Sequence, residues 1–418
     1  MFRFIIFLGL LPNLALALPD VAGGNHHTYI LTAGGEVLSM GQDLHKAEKG
    51  GKTYVGGKLG RKIDKMVLPG KDIHSILAQA DYNPGRRKVQ GLEGLKIVSI
   101  ASGQNDGAAI TEDGELFMWG PNNHGQLGLG DKKQRRIATH VPIPGKVNSV
   151  AIGSAHALVL TEGGRVFSMG LGDTEVLGHQ TAETLEEPKL IKALLAKKVI
   201  QVAAGQNTHS LFLTENGEVF ACGSNRHGQL GIEVESSPIP IKVPLASKIK
   251  YIAVGVHTSF GVDLEGRLWG WGSGRKGHFP VENFDDFVRP TLFENIPNKL
   301  SAVAAGSRHT VVFTETGEVF TWGLHTMISG QLGIGPPAER IDVRVPRKVE
   351  LPEKVTKIDS MANNVFVVAG DMIFGWGQTS HGRLGRPKNG AHKIEDANGA
   401  VYHLAHSPVL IPQEETPE

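Results

Sequence analysis

Short apolar stretches separated by glycine-bearing turns recur along the whole chain. One pattern keeps returning: a small-apolar run, a Gly, a His, an apolar run ending in Thr, a tight turn, and an apolar-aromatic run ending in Gly. Its turn and last run read TAGGEVLSMG (Thr32 to Gly41), TEDGELFMWG (Thr111 to Gly120), TEGGRVFSMG (Thr161 to Gly170) and TENGEVFACG (Thr214 to Gly223). It continues as DLEGRLWGWG (Asp263 to Gly272), TETGEVFTWG (Thr314 to Gly323) and VAGDMIFGWG (Val368 to Gly377). These seven copies recur at roughly fifty residues, a propeller-blade period. Asp113-Gly114, Asn216-Gly217 and Gly163-Gly164 favour the positive φ angles of tight hairpin turns. Runs such as Leu158 to Leu160 are apolar on both sides, as strands buried between neighbouring blades must be.

A second turn follows several copies: HGQLG at His124 to Gly128 and at His227 to Gly231, SGQLG at Ser329 to Gly333, and HGRLG at His381 to Gly385. Short strands then lead into the next copy. Four short strands per repeat, arranged radially, predict an all-β, seven-bladed β-propeller spanning 18–413. The stretch Pro408-Val409-Leu410-Ile411-Pro412 resembles Ile239 to Pro244, which precedes an inner strand. The expected ring closure therefore joins N- and C-terminal strands in one blade, the one begun by Val21 to Gly41, with 414–418 a disordered tail.

Composition alters this picture little. Of 418 residues 54 are Gly, without a collagen period, so they mark turns. A formal charge of +1 gives no global basic surface for nucleic acid. Cys222 is the only cysteine, which excludes an intramolecular disulfide and a cysteine-based zinc site. The apolar run Phe4 to Leu16, after Arg3 and with Ala15-Leu16-Ala17 behind it, has two readings. Residues 1–17 are a secretory signal peptide, or Leu14 to Ala22 is the first strand. The run is shorter than the ~20 residues of a membrane span. A secretory-pathway or extracellular location follows from the first reading; cytoplasm, nucleus or mitochondrion from the second.

The combination of G-x-x-H-T, L-T-x-x-G-x-V-F-x-W-G and G-Q-L-G resembles the repeat of the regulator of chromosome condensation family, over nearly the entire chain. That family includes an exchange factor for the Ran GTPase, mitochondrial relatives, bacterial effectors and the plant ultraviolet-B photoreceptor, so the resemblance implies the fold and leaves the function open. For the Ran exchange factor it implies acidic residues just after the glycine of certain G-x-x-H elements. Here those positions hold Asn25, Gln104, Ser154, Gln206, Val256 and Ser307, none of them acidic. A photoreceptor's extra indole cluster is also missing: Trp119, Trp269, Trp271, Trp322 and Trp376 all sit at or beside the repeated W-G position and read as core.

No G-x-S-x-G, P-loop lysine motif or H-E-x-x-H occurs, so no catalytic group, cofactor or metal is assigned, and guanine-nucleotide exchange is the most the chain would catalyse. His27, His156, His257 and His309, with His209 one residue later, share a repeat position on separate blades. They read as structural hydrogen-bonding groups rather than ligands converging on one ion.

Function is expected where the repeats break symmetry. Residues 42–95 lengthen the first repeat, with Gly57-Lys58-Leu59-Gly60 as its second turn. Asp43 to Tyr54 is the longest candidate for a projecting wing like that of the Ran exchange factor, and Leu324 to Ser329, carrying His325, is a shorter one. The partner-binding candidates are Asp43, His45, Lys46, Lys49, Lys52, Arg86, Arg87, Lys88, Asp106 and His325. Asp106 stands where the repeat has a histidine. The expected function is a monomeric, protein-binding propeller regulating a small GTPase or a trafficking-linked process through an irregular basic loop. The alternatives are an exchange factor for Ran or a related GTPase, and a secreted propeller acting on an extracellular or host protein.

Overall fold

The computed structural model describes residues 19–41, 47–49, 52–54, 58–60, 86–206, 208–282, 285–297, 299–326, 329–378, 384, 391–395 and 401–414, with backbone alone for 47–49, 52–54, 391–395 and 401–404. The expected signal run and the tail beyond Glu414 lie outside these residues.

The strands form seven antiparallel sheets arranged as blades. Blade 1 holds β1 (Asp20–Gly23), β2 (His27–Leu31), β3 (Val37–Gly41) and, after an inserted hairpin of β4 (Ala47–Lys49) and β5 (Lys52–Tyr54), the two-residue β6 (Arg87–Lys88). Blade 2 is β7 (Ile97–Ser102), β8 (Gly107–Thr111), β9 (Leu116–Gly120) and β10 (Arg135–Val141); blade 3 is β11 (Val147–Ile152), β12 (His156–Thr161), β13 (Val166–Gly170) and β14 (Leu185–Leu190). Blade 4 is β15 (Val199–Ala204), β16 (His209–Thr214), β17 (Val219–Ser224) and β18 (Ser236–Lys242). Blade 5 is β19 (Ile249–Val254), β20 (Thr258–Asp263), β21 (Leu268–Gly272) and β22 (Phe287–Phe293). Blade 6 is β23 (Leu300–Ala305), β24 (His309–Thr314), β25 (Val319–His325) and β26 (Ile341–Val349). Blade 7 has five strands: β27 (Val355–Met361), β28 (Asn364–Ala369), β29 (Met372–Gln378), β30 (Ala391–Glu395) and β31 (Val401–Ile411).

The repeated residues are the joints between blades. Four histidines reach a hydroxyl on the next blade: His27 Nε2 to Ser102 Oγ at 3.0 Å, His156 to Ser210 at 3.3 Å, and His209 to Ser259 and His309 to Ser360 at 2.9 Å. The tryptophans bind in the opposite direction. The Nε1–H of Trp271, Trp322 and Trp376 donates to the carbonyl of Gln229, His278 and Gln331, each in the second turn of the preceding blade, at 2.9, 2.8 and 3.0 Å. Trp119 does so through the Tyr29 hydroxyl, which donates to the Lys58 carbonyl. A buried indole N–H needs such a partner, and the fixed turn supplies it. All five tryptophans are buried, as their repeat positions imply.

Two expectations are corrected. His257 does not share the clamp position: Thr258 pairs with Gly272 where His156 pairs with Gly170, because the blade 5 loop has the same length and its histidine stands one residue earlier. The C-terminal strand does not complete blade 1 either. β31 pairs with β29, Ile373 opposite Ile411 and Gly375 opposite Val409, and so ends blade 7. Proline-bearing strands are the outer strands of their own blades. Pro188, Pro240, Pro290, Pro346 and Pro408 all precede the residue facing the third-strand position two before the repeat glycine, at a bulge where no ladder donor is needed. Blade 1 uses β6 instead. The ring closes by packing of blade 1 on blade 7, with Val21, Ile30, Leu38 and Met40 in one core with Val365, Phe366 and Trp376. The Gly23 N–H donates to Asp359 Oδ2 at 2.7 Å, and Lys357 pairs with Asp20 at 2.5 Å.

Candidate functional site

Antiparallel order puts the loops between first and second strands, and those between third and fourth strands, on one face of the ring. The other connections lie on the opposite face. Both large departures from sevenfold repetition fall between third and fourth strands: the β4–β5 hairpin in blade 1 and the extra strand β30 in blade 7. They therefore share a face, on adjacent blades, either side of the closing seam. β30 pairs only with β31, from Ala391 opposite Ala405 to Glu395 opposite Val401, and adds a fifth strand to blade 7.

The expected wing has a hairpin in it. Ala47 pairs with Tyr54, Glu48 with Thr53 and Lys49 with Lys52, so Lys49 and Lys52 are the closing pair. Asp43, His45 and Lys46 lie outside the described residues. Arg86, Arg87 and Lys88 lie on and beside β6, half-buried, half-buried and exposed. Arg86 Nε donates to the Glu414 carbonyl at 2.7 Å, tying the end of the described chain to blade 1. Lys88 pairs with Glu36 at 2.5 Å, both more than half exposed, an ion pair of small energetic weight.

Asp106 and His325 are placed differently from the surface role expected of them. Asp106 is fully buried at the clamp position of blade 2, and burial raises its carboxyl well above the usual range, opposed by the Gln126 amide and the Lys58 charge. His325, at the end of β25, is 3% exposed, and burial followed by the neighbouring His406 lowers its imidazole, keeping it neutral. Neither presents a side chain to a partner.

At the ring's mouth, the positions that would be acidic in a Ran exchange factor are tied into their neighbours by backbone. Asn25 N–H donates to the Gln104 carbonyl at 3.1 Å, Gln104 N–H to Gly153 at 3.3 Å, and Ser307 N–H to Ala362 at 2.7 Å. These backbone bonds link the loops of blades 1, 2 and 3 and of blades 6 and 7. The sequence reading does not name a basic group on this face in blades 4 and 5, Arg226, Arg275 and Lys276, whose signal lies in the residues of the second turns rather than in insertion length. Among the described residues no helix is long and apolar enough to cross a membrane.

Comparison with known proteins gives this geometry a family. Residues 57–402 match the RCC1-like domain model. The chain is 31% identical to the Arabidopsis thaliana ultraviolet-B receptor UVR8 over 304 residues, covering 70% of this chain and 68% of the receptor. It is 32% identical to the mouse secretion-regulating guanine nucleotide exchange factor over 321 residues, covering 71% and 67%. The human E3 ubiquitin-protein ligase HERC2 matches at 31% over 74% of this chain, but the match spans only 6% of that protein's length. Among solved structures, Prp20p from Saccharomyces cerevisiae superposes with a TM-score of 0.65 at 24% identity, covering 84% of this chain and 81% of that one, which speaks for the fold. Sevenfold blades, their joints and these matches agree, and the chain belongs to the family of RCC1-like propeller domains.

Proposed function

We propose that this propeller is a protein-binding regulator of a small GTPase, docking its partner on the face that carries the β4–β5 hairpin. The carrying observation is the coincidence of both large symmetry breaks on one face of adjacent blades. Loops held by a rigid scaffold are where binding residues concentrate, and a hairpin can reach beyond the ring's plane. Lys49 and Lys52 at the hairpin's closing pair bring basic residues to the candidate surface. The GTPase as partner is supported by the similarity to the mouse exchange factor. Exchange needs no catalytic constellation: a propeller that binds the nucleotide-free GTPase more tightly than the loaded form accelerates release by that difference alone.

The test uses the full chain and a variant in which residues 47–54 are replaced by a short Gly-Ser link. Each is immobilised and offered a panel of purified small GTPases, with magnesium present or chelated. Retention of one GTPase only when stripped, lost in the variant, supports the proposal. Equal retention by both forms removes the hairpin from the site. No retention of any GTPase, with no acceleration of nucleotide release, leaves a propeller with another kind of partner.

A further inference from the structure

Blades 4 and 5 break the repeat twice at the same place, far from the blade 1 insertion in sequence. The first break is in the second turns. Aligned on the turn glycines Gly125, Gly228 and Gly277, which share a φ near +75°, the two preceding positions are Asn123-His124 in blade 2, Arg226-His227 in blade 4 and Arg275-Lys276 in blade 5. Blade 3 has Asp173-Thr174 before Glu175, which adopts the same φ of 63°. Among the described second turns, only those of blades 4 and 5 hold two basic or imidazole residues that include an arginine, and they adjoin.

The second break is in the blade 5 loop Gly255-Val256-His257-Thr258. Its histidine has moved one place out of the clamp position, which Thr258 fills with a buried hydroxyl that has no hydrogen-bond partner. Blade 5 therefore gives up its imidazole clamp to blade 6, and His257 instead lies against His227, ring centroids 4.6 Å apart. His257 Nδ1 is buried and without a partner. Blades 3 and 4 both make this clamp, whereas in blade 5 the Thr258 hydroxyl stands in its place without a hydrogen bond.

One carboxylate organises the group. Asp286 Oδ1 accepts the Ser273 hydroxyl at 3.0 Å and the Gly274 N–H at 3.2 Å, while Oδ2 faces Arg275 Nε at 3.4 Å and His227 Nδ1 at 3.7 Å. Asp286 is mostly covered, its side chain 19% exposed, whereas that of Arg275 is 69% exposed. Arg226 and Lys276 are exposed as well. Glu282 and Asp285 are further acids on this loop, both exposed, and Asp285 is engaged in contacts of its own. Three exposed cations thus adjoin two imidazoles in tilted contact and one mostly covered, already engaged carboxylate. Like charges gathered this way repel unless an anion joins them.

We propose that this seam between blades 4 and 5 is a binding site for a phosphate group, held by Arg226, Arg275 and Lys276 with His227 and His257 beneath. Guanidinium groups match a phosphate's oxygens in pairs, and a phosphate monoester brings close to two negative charges where a carboxylate brings one. The group comes either from a phosphorylated side chain of a partner or from a small free anion. This site is independent of the blade 1 hairpin.

The test titrates the full chain with three probes: inorganic phosphate, a capped pentapeptide bearing one phosphoserine, and the same peptide with serine. Calorimetry measures affinity, and NMR follows the imidazole resonances of His227 and His257. Both phosphate-bearing probes are expected to bind competitively, to shift both imidazoles, and to weaken with salt. The Arg226→Ala/Arg275→Ala/Lys276→Ala variant, which removes only exposed side chains, is expected to lose at least ~tenfold in affinity, while Lys348→Ala on blade 6 changes nothing. Tighter binding of the phosphopeptide than of phosphate assigns a phosphorylated partner; the reverse order assigns a small anion. The proposal is overturned if neither probe binds, if the serine peptide binds equally well, or if the triple variant binds as the wild type does.

Discussion

Asp106 stands in blade 2 where four other blades place a histidine, and the neighbouring blade explains why. Each clamp histidine meets a hydroxyl either at the second residue of the next blade's second strand or on the inner-strand residue paired with it. These are Ser210 and Ser259 in the one position, and Ser102 and Ser360 in the other. Blade 3 offers Ala157 and its partner Ile152 there, and an imidazole would find nothing to bind. The carboxyl that replaces it is buried, and burial holds it protonated well above the usual range. The folded chain therefore keeps a proton that the unfolded chain releases above about pH 4. Stability from this group is fully present below that value and is lost as pH rises toward the raised pKa. Asp106→Asn should flatten this part of the pH dependence and add about 1–2 kcal/mol at neutral pH, the order of a poorly compensated buried polar group. Urea unfolding at pH 4 and pH 7.5 checks it: a gain that is equal at both pH values, or absent at pH 7.5, would falsify the account.

At the scale of elements, the third strand of every blade and the turn before it were legible, because Gly-bounded apolar runs of fixed length leave one solution. The blade 1 wing was legible as an interruption, and a hairpin does lie within it. The outer strands were harder. A proline-flanked apolar stretch does lead into the next inner strand along the chain, yet in space it closes the blade before, and sequence order alone does not tell the two apart. Clamp register was misjudged at His257 for a similar reason: Gly-x-His-Thr and Gly-x-x-His differ by one residue, which moves a side chain from the seam to the surface. The outer strand β10 carries a test of the joint. Five blades place a proline at its bulge; blade 2 has Ala138, whose N–H donates to the Gln90 carbonyl of blade 1 at 2.9 Å. Ala138→Pro matches the repeat but removes this donor, so it should destabilise the chain by about 1 kcal/mol or more rather than stabilise it. A thermal midpoint that rises in this variant would show that the interblade bond contributes nothing.

For the whole molecule, the seven seams are not equal. Seams 1/2, 4/5 and 6/7 carry both an imidazole clamp and an indole latch. Seam 3/4 has the His156 clamp with the Cys222 thiol at the Val176 carbonyl, 3.5 Å away, and seam 5/6 has the Trp322 latch with the Thr310 hydroxyl donating to the same His278 carbonyl at 2.8 Å. Seams 2/3 and 7/1 have neither: Asp106 and Asn364 replace the histidine, Met169 and Met40 the tryptophan. In an array where each unit touches only its neighbours, stability is a sum of unit and interface contributions, so the ring should open first where interfaces are poorest. The two poorest seams bound blades 1 and 2, the arc that bears the β4–β5 hairpin. Hydrogen exchange under native conditions should therefore show the strands of blades 1 and 2 opening together, at lower free energy than those of blades 4 and 5. At seam 7/1 the Lys357–Asp20 pair and the Asp359–Gly23 bond stand in for the missing joints. Lys357→Met with Asp359→Asn should speed exchange in β1 and β27 and leave β16 and β20 as they were. Uniform protection around the ring, or equal acceleration in all seven blades, would mean that the hydrophobic cores alone set its stability. The hairpin would then ride on a rigid disc rather than on a segment able to move when a partner binds.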